Sequence, residues 1–307
     1  MDVKKSGFRH QALIYGDPEE FLATTVPFLR IGLEAGEPVL VAVRRENTKL
    51  LEGELGEDAA EVRFAEMETL GRNPARIIPF WRDFLDENGG GSVRGVGEPL
   101  WPGRCPDEVD ECQRHEALLN VAFANPAAWS LLCPYDSRAL DDGVLGRVAQ
   151  SHSTVLHDGV SEKSTGYTPS RDCFAGGLKD RPPEASGLEF DRAGLGDVRR
   201  QVELGAERVG LCAGDAAGLV VAANELATNS VAHGGGAGTM RMWRDADRFI
   251  VEFEDAGWIQ EPLAGRLRPQ PTEACGRGLW LANQLCDLVQ IRSRPHSTTV
   301  RLQAALN

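Results

Sequence analysis

Residues Leu219–Gly236 read LVVAANELATNSVAHGGG. An α-helix turns about 100° per residue, which gathers Glu225, Asn229 and His233 on one side and Leu219, Val220, Ala223, Leu226, Ala227 and Val231 on the other. The stretch therefore reads as an amphipathic helix. Its polar side lacks the Lys, Arg and repeated Glu of an ordinary solvated face: the positions between the polar residues are Val221, Ala222, Thr228 and Ala232, none of them charged. Such a face suits a cavity better than open water.

Working outward, the chain of 307 residues, 42% hydrophobic and 26% charged, has the composition of a globular protein long enough for two cores. Its net charge of −13 argues against nucleic acid as a partner, because phosphate neutralisation needs clustered Lys and Arg. The acidity is concentrated in the first half: residues 1–182 hold 30 acids and 20 bases, residues 183–307 hold 16 and 13. No apolar run approaches the ~20 residues of a membrane span, and MDVKKSGFRH has no apolar signal core. A cytoplasmic protein is expected. Seven cysteines without a CxxC pair fit reduced thiols there.

Apolar runs at ALIY (from Ala12), PVLVAV (Pro38), VRFAEM (Val62), SVRGVGE (Ser92) and WSLLCPY (Trp129) alternate with helical patterns near 19–35, 47–55, 74–87, 108–124 and 143–150. Alternation at this spacing predicts a parallel sheet wrapped by helices over residues 8–163. Residues 164–187, rich in Gly, Pro and Ser, read as a linker. Residues 188–307 then predict helices on one face of a mixed sheet, with Phe249, Val251 and Phe253 on the buried side of a strand. The fold class is α/β in both halves.

In the first half, Asp17-Pro18-Glu19-Glu20 follows the first strand where a phosphate loop would stand. It lacks GxxxxGK[ST], and its capping aspartate fills the helix start with negative charge, so no ATP is expected there. Cys112 and His115 stand three apart on an expected helix and could share a metal. Without CxxC pairs, buried thiols and hydrogen-bonded histidines are the reading for Cys105, Cys112, His115, Cys133, His152 and His157. Cys275 and Cys286 read as small core or lid residues. His233, before three glycines, reads as a helix-end cap.

Three elements follow the opening helix in order: Asp255-Ala256-Gly257 ending a strand, Gly276-Arg277-Gly278-Leu279 starting a helix, and Ser297-Thr298-Thr299-Val300 on the last strand. Together with ELATN they resemble the nucleotide-binding boxes of the GHKL ATPases, and most closely the anti-sigma-factor serine kinases of the RsbW type. The resemblance implies a two-layer α/β ATPase domain over 188–307 that uses ATP and Mg²⁺. It implies Glu225 as the base for the attacking hydroxyl, Asn229 as the Mg²⁺ ligand, and Asp255, Gly257 and Thr299 around the adenine. Gly276, Arg277, Gly278 and Leu279 would face the phosphates, and residues 258–275 would be a lid. STTV stands where GTTV is common in the family, and Trp258 falls two residues short of a frequent glycine.

The first half, from HQALIYGDPEEF through LLCPYD to the segment near His152, resembles the MEDS sensory domains of bacterial regulators. That implies a RecA-like α/β core and a sensing role, with His10, Tyr15, Cys133, Tyr135 and Asp136 at strand edges where an open parallel sheet binds ligands. The resemblances together imply a sensor-controlled serine kinase and anti-sigma factor. Its partners would be a STAS-type anti-anti-sigma protein and a sigma factor, and it could form a homodimer. The alternative is a non-catalytic, ATP-gated interaction module. A histidine kinase fits less well, since no dimerisation helix with a phospho-acceptor histidine precedes Leu188.

Overall fold

The computed structural model describes residues 7–89, 91–124, 129–157, 159–168, 176–270 and 276–306. The chain divides into two compact units, Met1–Arg171 and Asp172–Asn307.

In the first unit the elements run β1 (Phe8–Tyr15), α1 (Pro18–Glu34), β2 (Val39–Val43), α2 (Arg45–Leu55), β3 (Val62–Glu66), α3 (Met67–Leu70), α4 (Ile77–Glu87), β4 (Val93–Gly97), α5 (Pro106–Ala122), β5 (Trp129–Asp136), α6 (Asp142–Ser151), β6 (Thr154–His157) and β7 (Val160–Lys163). The sheet order is β3-β2-β4-β5-β1-β6-β7. All pairings are parallel except β6 with β7. Every residue of β2, VLVAV, is buried, as a central strand covered on both faces requires. The expected strands all form. The hairpin β6–β7 was not foreseen, because its residues are half-buried or exposed and carry no apolar alternation. Asp17 caps α1 by accepting from the Glu20 N–H at 2.9 Å, and Glu20 reaches back to accept from the Gly16 N–H at 2.6 Å.

β1 divides its side chains between two layers. Leu13 and Tyr15 join Phe21, Leu29, Val41 and Leu132 in a core under α1 and α2. His10 points the other way, towards Glu116 and Asn120 of α5.

The second unit runs β8 (Ser186–Asp191), α7 (Leu195–Val209), α8 (Ala213–His233), β9 (Ala237–Asp245), β10 (Arg248–Asp255), α9 (Arg277–Leu285), β11 (Leu288–Arg294) and β12 (Ser297–Ala305). Its sheet, β11-β12-β10-β9-β8, is antiparallel at every pairing, which corrects the expected mixed sheet. With α9 the one helix among the described residues between them, β10 and β11 do point the same way. The hairpin then folds β12 between them, so the parallel pair never bonds.

Phe249, Val251 and Phe253 meet Val198, Val202, Leu219, Ala223 and Leu226 in the core, with Val300, Leu302 and Cys286 beside them. Full burial of a side chain such as Phe253 stabilises by about 1.5–3 kcal/mol. The other face of the sheet is charged, yet Glu252 and Arg301 are each only 3% exposed and pair at 2.6 Å. Leaving either ion alone there would cost roughly 3–5 kcal/mol. Residues 177–181, part of the expected linker, cover this face: Arg301 donates to Lys179 O at 3.0 Å and Arg181 binds Glu252 and Glu254 at 3.1 Å each. The other end of the expected linker is also held, with Ser164 Oγ donating to Ala149 O at 2.6 Å and the Thr168 N–H to Gln150 O at 3.0 Å. No helix among the described residues is long and apolar enough to cross a membrane.

Candidate functional site

α8 is the spine of the site. Leu219, Ala222, Ala223, Leu226, Ala227 and Ser230 are buried, while Val221, Thr228, Ala232 and His233 are exposed. The polar face is thus half solvated rather than wholly enclosed, with Glu225 and Asn229 half-buried within it. What encloses those two is the first turn of α9. A Cβ at Gly278 would lie 3.0 Å from Asn229 Nδ2 and 3.1 Å from Glu225 Oε2, so any larger residue would push these two side chains aside. Gly276 caps α9 in the left-handed conformation, φ +92°, without a side-chain cap, and no acid stands in the first turn. The N–H groups at this end and the positive end of the helix dipole face the same place as Glu225 and Asn229.

A cavity of ≈ 350 Å³ opens beside them. Leu226, Phe253, Ile259, Leu279 and Val300 supply apolar walls, Trp258 stands 52% exposed, and Asn229, Asp255, Gly257 and Gly276 supply the polar points. Asp255 is held rigidly. Its Oδ2 accepts from Ser230 Oγ at 2.6 Å, and its Oδ1 from the Gly257 N–H at 2.8 Å. Gly257 has no room for a side chain, since a Cβ would come within 2.8 Å of Asp255 Oδ1 and 3.1 Å of His233 O.

Of the expected residues, Asn229, Asp255, Gly257, Gly276 and Leu279 line the cavity, and Glu225 with Gly278 packs at its margin. Arg277 is exposed and does not line it. Thr299 is a correction. Strand β12 alternates faces, and register pairs Asp255 with Thr298, so Thr298 enters the cavity while Thr299 lies on the opposite face with Arg301 and Lys179. Thr298 Oγ1 donates to Gly257 O at 3.0 Å and lies 2.7 Å from Ser293 Oγ, which accepts from the Ile259 N–H at 2.7 Å. Ser230, Ser293 and Thr298 were missed. Thr298 stood inside the STTV run and Ser230 adjoined Asn229 on the same helix, whereas Ser293 carried no signal.

The segment expected as a lid, 258–275, is only partly within the described residues, as 271–275, with Cys275, lie outside them. What is described docks on α9: Gly265, φ +73°, would place a Cβ 2.8 Å from Leu279 Cβ, and Asn283 Nδ2 donates to Gly265 O at 2.9 Å. His233 sits exposed at the edge of the cavity.

The set of residues fits an adenine nucleotide. The cavity offers an apolar slot with one fixed acceptor at Asp255, and a helix first turn with no acid of its own beside the Asn229 amide.

Residues 188–304 match the family model of the histidine kinase-like ATPase domain, and residues 9–153 that of the MEthanogen/methylotroph, DcmR Sensory domain, MEDS. The chain joins a MEDS domain to a histidine kinase-like ATPase domain. No curated protein matches it. Among solved structures, the RsbU and RsbW domains of Rv1364c from Mycobacterium tuberculosis align at 21% identity with a TM-score of 0.30, over 39% of this chain and 32% of that one. The alignment thus spans about a third of that chain's length.

In the MEDS domain, Cys112 is buried with its Sγ donating to Pro99 O at 3.2 Å, and burial pushes its thiol up to about 12. It behaves as the packed thiol expected. The metal-competent grouping among the described residues is a different one, His10, Glu116, Cys133 and His152.

Proposed function

We propose that the ATPase domain is a protein serine kinase of the RsbW type that phosphorylates a STAS-type anti-anti-sigma protein. In the same reading it binds a sigma factor, can pair with a second copy of itself, and is controlled by the MEDS domain. The observation that carries the reading is the meeting of Glu225 and Asn229 with Gly278 at the open first turn of α9, beside the cavity that holds Asp255.

Asp255, oriented by Ser230 and Gly257, accepts the adenine amino N–H. Leu226, Phe253 and Val300 flank the ring, and the phosphates run towards Gly276, where backbone N–H groups receive them. Asn229 would hold Mg²⁺ through its amide oxygen, a hard neutral ligand, and the ion would supply neutralisation of phosphate charge. Glu225, one turn before Asn229, accepts the proton of the serine hydroxyl. The serine oxygen bonds to the γ-phosphorus, the bond to the bridging oxygen breaks, and ADP leaves with that electron pair.

The test is incubation of the chain with γ-labelled ATP and a STAS protein from the same cell. Glu225→Gln is expected to keep ATP binding, because size and shape are retained, and to slow labelling of a partner serine by roughly 10²–10⁴. If wild type leaves no label on the partner, while it and the variant capture that partner equally in the presence of ATP, the domain is an ATP-gated interaction module instead.

A further inference from the structure

The MEDS domain buries four metal-competent side chains drawn from four elements. His10 comes from β1, Cys133 from the neighbouring β5, Glu116 from α5, and His152 from the end of α6. All are at most 2% exposed, and their ligand atoms lie within 4.8 Å of one another. β1 and β5 are parallel with Ala12 opposite Cys133, which sets His10 and Cys133 as diagonal neighbours on the sheet face that α5 covers. His10 Nε2 is 3.0 Å from Glu116 Oε2 and 3.4 Å from Cys133 Sγ, and His152 Nε2 is 3.1 Å from the same Glu116 oxygen.

The hydrogen bonds around the cluster fix which ring nitrogens carry protons. His152 Nδ1 lies 2.9 Å from Val148 O, a pure acceptor, so Nδ1 carries the hydrogen. Asn120 Nδ2 donates to Ser151 O at 2.7 Å and to Glu116 O at 3.3 Å, which turns Asn120 Oδ1 towards His10 Nδ1 at 3.3 Å. His10 Nδ1 therefore carries its hydrogen too. Each Nε2 is thereby turned to the same Glu116 oxygen. His152 Nε2 and the Glu116 oxygens are buried together with the Cys133 thiol and the Tyr135 hydroxyl, and a proton or a bound cation must lie among them. An arrangement of this kind is unfavourable unless a positive centre lies between the acceptors.

We propose that the MEDS domain binds one divalent transition-metal ion of the zinc class between His10 Nε2, His152 Nε2, Cys133 Sγ and Glu116. The donor set of two imidazoles, one thiolate and one carboxylate suits zinc, which takes N, S and O ligands in a tetrahedron. Bonds of about 2.0–2.3 Å place such ligands about 3.3–3.7 Å apart, against 3.0–3.4 Å for three of the pairs here and at most 4.8 Å for the others. The Nδ1–H groups, held by Asn120 and the Val148 carbonyl, act as the outer hydrogen bonds that orient ligating histidines. On binding, the S–Zn bond replaces the Cys133 S–H bond and the proton leaves to solvent. Four protein ligands leave no open position, so the ion ties β1 and β5 to α5 and α6 instead of activating water.

The experiment uses the untagged full chain, reduced, stripped with a chelator and returned to excess Mg²⁺, which saturates hard-ligand sites. It is titrated with Co²⁺ and then Zn²⁺. Expected are one equivalent of Co²⁺, the intense visible bands of a tetrahedral ion with a thiolate charge-transfer band, and displacement of Co²⁺ by Zn²⁺. Cys133→Ser should lose the charge-transfer band, and Cys212→Ser, at an exposed thiol, should keep it. Asn120→Ala, which leaves all four ligands in place, should weaken affinity roughly 10–100-fold, so the proposal stays testable if Cys133→Ser does not fold. An octahedral Co²⁺ spectrum, no saturable binding, or wild-type affinity in Asn120→Ala would overturn it.

Discussion

Asp255 has two of its acceptor positions taken within the protein, by Ser230 Oγ and the Gly257 N–H, and this fixes the direction of the remaining lone pairs. Thr298 continues the same chain of contacts through Gly257 O and Ser293. Thr298→Val should therefore weaken ATP binding several-fold, since a buried hydroxyl with partners on both sides is lost, at about 1–3 kcal/mol. Thr299→Val should leave it unchanged. Isothermal titration of the two variants distinguishes them, and the reverse order would mean that β12 presents its other face. The STTV run shows why this was not legible: adjacent residues of a strand face opposite ways, and which one faces inward depends on register with β10. The buried MEDS cluster was hidden for a different reason. Glu116 lies in α5, PDEVDECQRHEALLNVA, whose charges look solvated, yet Glu111, His115 and Glu116 are all buried.

At the scale of elements, the site is made where α8 and α9 touch. The apolar stripe of α8 and the glycines of α9 were readable, because helical period and the GRG run do not depend on distant partners. The closeness of the two helices was not. Gly278→Ala places a methyl at 3.0 Å from Asn229 Nδ2 and 3.1 Å from Glu225 Oε2, so α9 or both polar side chains must shift. The variant should retain its far-ultraviolet circular dichroism, since alanine favours helix, while ATP affinity falls at least tenfold. Unchanged affinity would show that the first turn of α9 does not bear on the nucleotide. The antiparallel sheet was out of reach for a similar reason: the order of elements gives the direction of β11 but not that β12 inserts beside β10.

At the scale of the molecule, each unit has its own core, and the chemistry divides accordingly between a buried polar cluster in the MEDS domain and an open cavity in the ATPase domain. Alternation of strands and helices made the first domain legible as a parallel sheet, and the order of three motifs behind ELATN made the second legible as an ATPase domain. The account rests centrally on ATP occupying the cavity at Asp255. The measurement is calorimetric titration of the full chain with ATP, with Mg²⁺ and with chelator, for wild type and for Asp255→Asn. An asparagine that keeps its oxygen on the Gly257 N–H turns its NH₂ to the place of Oδ2, where Ser230 Oγ can accept it while donating to Leu226 O, so one of the two carboxylate acceptors open to the adenine amino group is lost, at a cost of about 1–3 kcal/mol. The predicted result is one ATP per chain, weaker binding without Mg²⁺, and at least a several-fold loss of affinity in the variant. The absence of saturable binding, or wild-type affinity in Asp255→Asn, would contradict the account.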